Sequence, residues 1–169
     1  LAWEITGLEA PGNLKLKRAG KEAQRTVAVL DFEGRGITAQ EAQTLTDRFT
    51  TALSSTKKVI LVERGTMNDV LEEQGFEAGE CASDECAAEV GAMLGVEFMI
   101  SGAIGKLGNA YTIDAKMFSV ATGAAESMKS ITYSGAVEGL IVEIEVLALD
   151  IVLQIILEVN SKFCLVLPF

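Results

Sequence analysis

Two short aliphatic runs, separated by one segment of helix length, constrain the fold of this chain more than any other feature. Residues 26–32 (TVAVLDF) and 59–63 (VILVE) are rich in β-branched residues and do not alternate between apolar and polar positions. This pattern is typical of strands that are buried on both faces of a sheet. Because one helix-length segment joins them, we expect the two runs to pair in parallel.

The segment between the runs carries the signals of an amphipathic helix from about residue 39 to 55. Thr38 and Glu41 have the spacing of a capping box, in which the hydroxyl and the carboxylate each accept a hydrogen bond from a free backbone N–H. Apolar residues then recur at helical spacing, at positions 42, 45, 49, 52 and 53.

The rest of the chain continues as two helices, three strands and a last helix. Thr66 and Asp69 are predicted to open one helix that stops at Gly75, and Ser83 to cap another that ends at Gly95. The apolar runs predict strands at 98–105, 111–120 and 124–134, joined by tight turns into a meander. The predicted order is β-α-β-α-α-β-β-β-α, a mixed α/β (α+β) fold with helices packed on a mixed parallel and antiparallel sheet. We expect one domain at 26–159, a linker or lead-in at 1–25, a loop at 33–36 and an apolar tail at 160–169.

The most apolar stretch of the chain, residues 137–159, is predicted to form a helix within the fold. Four acidic residues interrupt it, and each would cost about 2.5–3.5 kcal/mol near the centre of a bilayer. No uncharged run of the length needed to span a membrane is present. Its polar residues at 143, 150, 154 and 158 share one stripe, which leaves about three quarters of the helix circumference apolar.

This excess of apolar surface predicts an interaction surface. A helix that covers a sheet needs an apolar stripe only a little over 100° wide, and large exposed apolar patches usually mark contact sites. We therefore expect a homo-oligomer or a complex with a larger assembly, with the apolar tail adding a strand to a neighbouring sheet. The residues predicted to form this surface are Ile141, Ile144, Leu147, Leu149 and Ile151 on the helix, and Phe163, Leu165 and Leu167 in the tail.

Charge and composition exclude several functions. The net charge of −10, from 14 basic and 24 acidic residues, is opposite to the basic footprint that nucleic-acid binding requires. The chain has no histidine, so Ser-His-Asp and Cys-His pairs cannot form and the commonest transition-metal ligand is missing. We therefore predict no cofactor, no metal centre and no nucleic-acid partner.

Three carboxylates provide an alternative hypothesis, that of an enzyme which binds a small ligand or a divalent cation. Asp31 and Glu33 follow the first predicted strand, and Glu63 ends the second. Open α/β sheets bind ligands beyond the carboxyl ends of their strands, and oxygen ligands suit Ca²⁺ and Mg²⁺. Solvated charges at strand ends are the simpler interpretation of the same residues.

The chain has three cysteines, of which two are close in sequence. Cys81 and Cys86 lie on either side of the predicted start of a helix, where a disulfide is geometrically feasible and would close a short loop. Free thiols remain the alternative. Without histidine, neither a zinc site nor a catalytic thiol is indicated.

Three stretches of the chain resemble the curli-secretion-channel (CsgG-like) superfamily. They are residues 42–76, with V-E-R and L-x-E-Q; residues 86–108, with G-x-x-L-G-V-x-x-x-I-x-G; and residues 111–130, with V-x-T-G in a hairpin. The superfamily also includes the amino-terminal domain of TolB and lipoprotein activators of penicillin-binding proteins.

This resemblance implies a non-enzymatic accessory or assembly protein of the bacterial cell envelope, active in secretion or cell-wall synthesis. Members are exported and act through protein–protein contacts, either in the periplasm or tethered to the outer membrane by a lipid. Such a tether on this protein would require a segment outside the present chain. Channel-forming members insert long hairpins where this chain has a tight turn, between Gly105 and Tyr111, so we expect no pore from it alone.

We predict that Cys81 and Cys86 are bonded in protein made under oxidising conditions, because the implied periplasmic location favours disulfides. Peptide mass spectrometry of unreduced material should find a cross-linked pair at these positions. Two alkylatable thiols there would contradict the prediction.

Overall fold

A six-stranded mixed sheet forms the centre of the protein. The computed structural model describes residues 24–76 and 83–164. The strand order across the sheet is β3-β1-β4-β5-β6, with β2 also paired to β4. Strand β1 is parallel to β3 and β4, whereas β4, β5 and β6 form an antiparallel meander, as the sequence predicted. The strands are β1 (Arg25–Val29), β2 (Glu33–Arg35), β3 (Val59–Leu61), β4 (Phe98–Leu107), β5 (Ala110–Ser119) and β6 (Ala125–Ser134).

Helices cover both faces of this sheet. Helices α1 and α4 pack with the apolar side chains of one face, and α2 and α3 pack with those of the other. No helix within residues 24–76 and 83–164 combines the length and the apolarity that crossing a bilayer demands. The helices are α1 (Ala39–Ser55), α2 (Arg64–Glu73), α3 (Asp84–Leu94) and α4 (Leu140–Cys164), the last preceded by a 3₁₀ turn at Val137–Gly139.

The predicted capping box at the start of α1 is confirmed. The Glu41 N–H donates to Thr38 Oγ1 at 3.1 Å, and the Thr38 N–H donates to Glu41 Oε2 at 2.8 Å. The Thr38 backbone N–H, followed by its hydroxyl, lowers the pKa of the Glu41 carboxyl. Helix α1 therefore begins at Ala39, where the sequence places it.

The first strand is shorter than predicted, and the expected loop at 33–36 is wrong because Glu33–Arg35 form strand β2. The chain leaves the sheet at Phe32, whose N–H donates to the hydroxyl of the fully buried Thr46 at 3.1 Å. The Phe32 ring then packs against Phe49, with ring centroids 5.1 Å apart. The backbone then pairs with β4 as strand β2, in which Glu33 lies opposite Ala103.

The motif G-x-x-L-G-V-x-x-x-I-x-G has a structural reason at each glycine. A Cβ on Gly91 would lie 2.6 Å from the Val120 side chain, so only glycine lets α3 lie this close to the sheet. Gly95 ends α3 with φ of 70°, a left-handed conformation that side chains disfavour. A Cβ on Gly102 would lie 3.0 Å from the ring of Phe32.

The predicted interaction surface on the last helix is largely wrong. Ile144, Leu147 and Ile151 are buried in the core against the sheet and α1, and Ile141 is partly buried against the same cluster. The inner side of α4 contributes more buried apolar side chains to this face of the sheet than α1 does, and these residues lie on that inner side. Helix α4 also continues past residue 159 to Cys164. The tail residues Leu165 and Leu167 and the side chain of Phe163 lie outside the described part of the chain.

We expect Gly91→Ala to lower the stability of the fold, by about 1–3 kcal/mol for an overpacked site. The added methyl would lie 2.6 Å from Val120 and 2.7 Å from Met99, so α3 must shift away from the sheet. Gly65→Ala in α2 is the matched control, because nothing lies within 4 Å of its Cβ position. That change should leave stability equal or raise it by up to about 1 kcal/mol. Thermal and urea unfolding measure both, and equal effects would contradict the packing argument.

Candidate functional site

A groove of about 650 Å³ lies on the face of the sheet that α2 and α3 cover only in part. These two short helices pack over β1 and the beginning of β4. On the same face, Phe118 near the end of β5 packs in the apolar cluster that these helices form. In the described residues, neither β6 nor the far half of β4 contributes a buried residue to that cluster. We call this cavity the sheet groove. It lies beyond the carboxyl end of β1, the place where open α/β sheets commonly bind ligands.

Strand register determines the floor of the sheet groove. Side chains alternate between faces along a strand, so every second residue of β4, β5 and β6 points into it. Ala103 pairs with Asp114, and Asp114 pairs in turn with Ser130. The next pairs on this face join Lys116 to Ser101 and to Met128. The floor is therefore small and polar near β4 and charged along β5.

The walls of the sheet groove are more apolar. Met67 and Leu71 of α2 form one side, and Leu30 and Phe32 form the end beside β1. The Met128 side chain, 70 % exposed, rises from β6 on the opposite side. Methionine-lined grooves adapt readily to different apolar side chains.

Most charged groups around the sheet groove are already paired with one another. Lys116 Nζ contacts Asp84 Oδ2 at 2.8 Å, and the Ser130 hydroxyl donates to Asp114. Arg35 contacts Glu33 at 3.0 Å. The hydrogen bond and charge of Arg35 lower the pKa of Glu33, and Glu33 raises the pKa of Arg35 in return. The groove thus offers balanced, exposed ion pairs rather than one concentrated charge.

The predicted cation site at Asp31, Glu33 and Glu63 does not assemble. Asp31 and Glu33 both line the sheet groove, but Asp31 is bound by Arg64, which also contacts Asp47 at 2.8 Å. Glu63 precedes the first turn of α2, which begins at Arg64 rather than near Thr66. No cluster of three metal-ligating side chains occurs among the residues that the structure describes. Asp31 and Glu33, which a cation would need as ligands, are therefore each paired with an arginine.

A second candidate surface is an apolar row on the outside of α4. Five valine and leucine side chains there are between 47 and 60 % exposed, although such side chains are usually buried. At 100° per residue they fall in an arc of about 80°, directly opposite the buried side of the helix. We call this row the outer stripe. It consists of Val142, Val146, Leu149, Leu153 and Leu157.

Sequence reasoning missed most residues of both surfaces. Of the outer stripe, the sequence predicts only Leu149 as part of an interaction surface. Residues 137–159 are apolar on most sides, so their pattern does not distinguish the inner face of the helix from the outer face. The spacing of 4, 3, 4 and 4 residues along the stripe was the available signal. For the sheet groove, the alternation that puts Ile113 and Ala115 in the core already places Asp114 and Lys116 on the other face.

Comparison with known protein families decides the classification. Residues 17–116, more than half of the chain, match the family model described as the curli production assembly/transport component CsgG. The chain belongs to the CsgG family. This confirms the resemblance that the three motif stretches carried.

Solved structures share the CsgG-family fold of this chain. The C-terminal domain of LpoB from Salmonella enterica aligns with a TM-score of 0.59 at 17 % identity, over 67 % of this chain and 84 % of that one. Lipoprotein GNA1162 from Neisseria meningitidis gives 0.58 at 10 % identity, over 75 % and 96 %. A PelC dodecamer from Paraburkholderia phytofirmans gives 0.51 at 14 % identity, over 79 % and 88 %. No curated protein matches the chain by sequence. At these identities the likeness concerns the fold alone.

We predict that this CsgG-family domain binds Ca²⁺ and Mg²⁺ no more tightly than millimolar. The two groove carboxylates of the predicted cation site, Asp31 and Glu33, are paired with Arg64 and Arg35, so a cation there would have to displace an arginine. Isothermal titration calorimetry measures the affinity directly. Saturable micromolar binding that Asp31→Asn abolishes, while the exposed control Asp69→Asn does not, would contradict this.

Proposed function

We propose that this member of the CsgG family is a non-enzymatic accessory or assembly protein of the bacterial cell envelope. It works in the periplasm, in secretion or cell-wall synthesis, through contacts with other protein chains. Family membership and the fold shared with LpoB and GNA1162, the latter a lipoprotein, support the envelope setting. The balanced ion pairs of the sheet groove also fit a contact surface better than a catalytic centre.

The observation that carries the proposal is the outer stripe. Five neighbouring aliphatic side chains on one helix face remain about half exposed, although the opposite face of α4 already fills the core. Burying a half-exposed Val or Leu side chain contributes roughly 1 kcal/mol. Contiguous patches of this kind usually mark interaction sites on soluble proteins.

We further propose that the chain associates with itself through the outer stripe. PelC supports this proposal, because it shares the fold and was solved as a dodecamer. The tail residues Phe163, Leu165 and Leu167 remain a proposed extension of the same surface, because they follow the stripe along the chain. The alternative of a carboxylate enzyme is not favoured, because Asp31 and Glu33 are bound to arginines.

We predict that Leu153→Asp yields a folded monomer, whereas the intact chain is larger than 18.0 kDa at tens of micromolar. The new carboxylate would lie in the middle of the contact, where desolvation opposes association. Light scattering gives the mass, and circular dichroism gives the fold and its melting temperature.

The matched control is Ile151→Asp, two residues away on the buried side of α4. It should unfold the domain, because a buried unpaired charge costs more than about 4 kcal/mol. An intact chain that stays monomeric without detergent would contradict the self-association proposal.

A further inference from the structure

The outer stripe is nearly symmetric about its own midpoint. Val142 and Leu157 lie equally far from a point between Leu149 and Asp150, and so do Val146 and Leu153. Leu149 itself lies next to that point. An apolar row of this kind has the same spacing in both directions along the helix, so its outer members lie level with one another across a two-fold axis perpendicular to the helix.

We propose that the outer stripe packs against the same stripe of a second copy, with the two α4 helices antiparallel and the two-fold axis beside Leu149 and Asp150. This proposal rests on the self-association proposed above and specifies its orientation. Val142, Val146, Leu153 and Leu157 then each lie level with a stripe residue of the other copy, and the two Leu149 side chains lie on either side of the axis.

Side-chain sizes favour the antiparallel orientation. Val142 comes opposite Leu157 of the second copy, and Val146 comes opposite Leu153. Each contact joins a smaller and a larger side chain, which keeps the helix separation even along a stripe of about 22 Å. A parallel pair would place valines opposite valines at one end and leucines opposite leucines at the other, and the helices would splay.

Charges beside the stripe favour the same orientation. Glu145 borders one side, and Glu143 and Asp150 border the other. In a parallel pair, Glu143 of each copy would lie beside Glu145 of the other, which creates two like-charge contacts. In the antiparallel pair Glu143 lies beside Leu157 of the second copy. Only the two Asp150 carboxylates then approach each other, beside the two-fold axis, and flanking charges of this kind set helix orientation in coiled coils.

Cysteine cross-linking tests the orientation directly. The parent is the intact chain carrying Cys164→Ser, treated with a short bismaleimide, and it shows any background from Cys81 and Cys86. Leu149→Cys should form a covalent dimer by itself. Val142→Cys and Leu157→Cys should not do so separately, since two copies of either lie about 22 Å apart, but a mixture of the two should cross-link.

The results separate this proposal from the one on which it rests. Cross-linking of Val142→Cys with itself, or a light-scattering dimer in which none of these pairs react, would overturn the antiparallel orientation while leaving self-association intact. A monomeric chain would overturn both the self-association and its antiparallel orientation. The outer stripe would then have to bind a different protein. All three cysteines replace exposed side chains, and melting curves check that each variant is folded.

A charge variant gives an independent readout. Asp150→Asn should tighten the dimer roughly two- to fivefold at low salt, the range for exposed charge pairs. The matched change Glu143→Gln should have a smaller effect. The reverse order, measured by sedimentation equilibrium, would indicate the parallel pair and overturn the proposal.

Discussion

A helix that lies on a sheet can bury only one of its sides. This limit accounts for both candidate surfaces of the protein, the outer stripe and the sheet groove. Helix α4 spans 25 residues and is apolar on two opposite sides. Its inner side, with Leu140, Ile144, Leu147 and Ile151, fills the core against the sheet and α1. The outer stripe cannot reach that core from the same helix. Its exposure follows from the geometry of packing and not from a defect of the fold.

The same limit accounts for the sheet groove on the other face. Helices α2 and α3 contain 10 and 11 residues, so each is only about 15–17 Å long. The meander strands contain 10 residues each and are about 33 Å long. Two short helices therefore leave part of this face open. Some strand residues there carry charges that are paired across the groove, as in Lys116 with Asp84.

Close approach between layers depends on a few glycines. Gly91 brings α3 onto Met99 and Val120, and Gly102 lets the Phe32 ring lie against β4. A third contact joins the meander to the 3₁₀ turn before α4, where the Tyr133 hydroxyl lies over Gly139 in the space that a Cβ would need. These contacts fix how the two helical layers sit on the sheet. Gly91 and Gly102 both belong to the motif G-x-x-L-G-V-x-x-x-I-x-G, so these contacts give a physical reason for two of its glycines.

The sequence by itself determined most of the local elements and most of the strand pairing. Thr38 and Glu41 fix the start of α1 through backbone hydrogen bonds, and Ser83 and Gly95 fix both ends of α3. These signals act within a few residues, so they can be read without the fold. Only the tertiary structure decided which side of α4 faces the core, because periodicity defines faces but cannot rank two that are both apolar. It also decided that Arg64 binds Asp31, 33 residues away, since contacts between distant residues depend on how the sheet brings their strands and helices together.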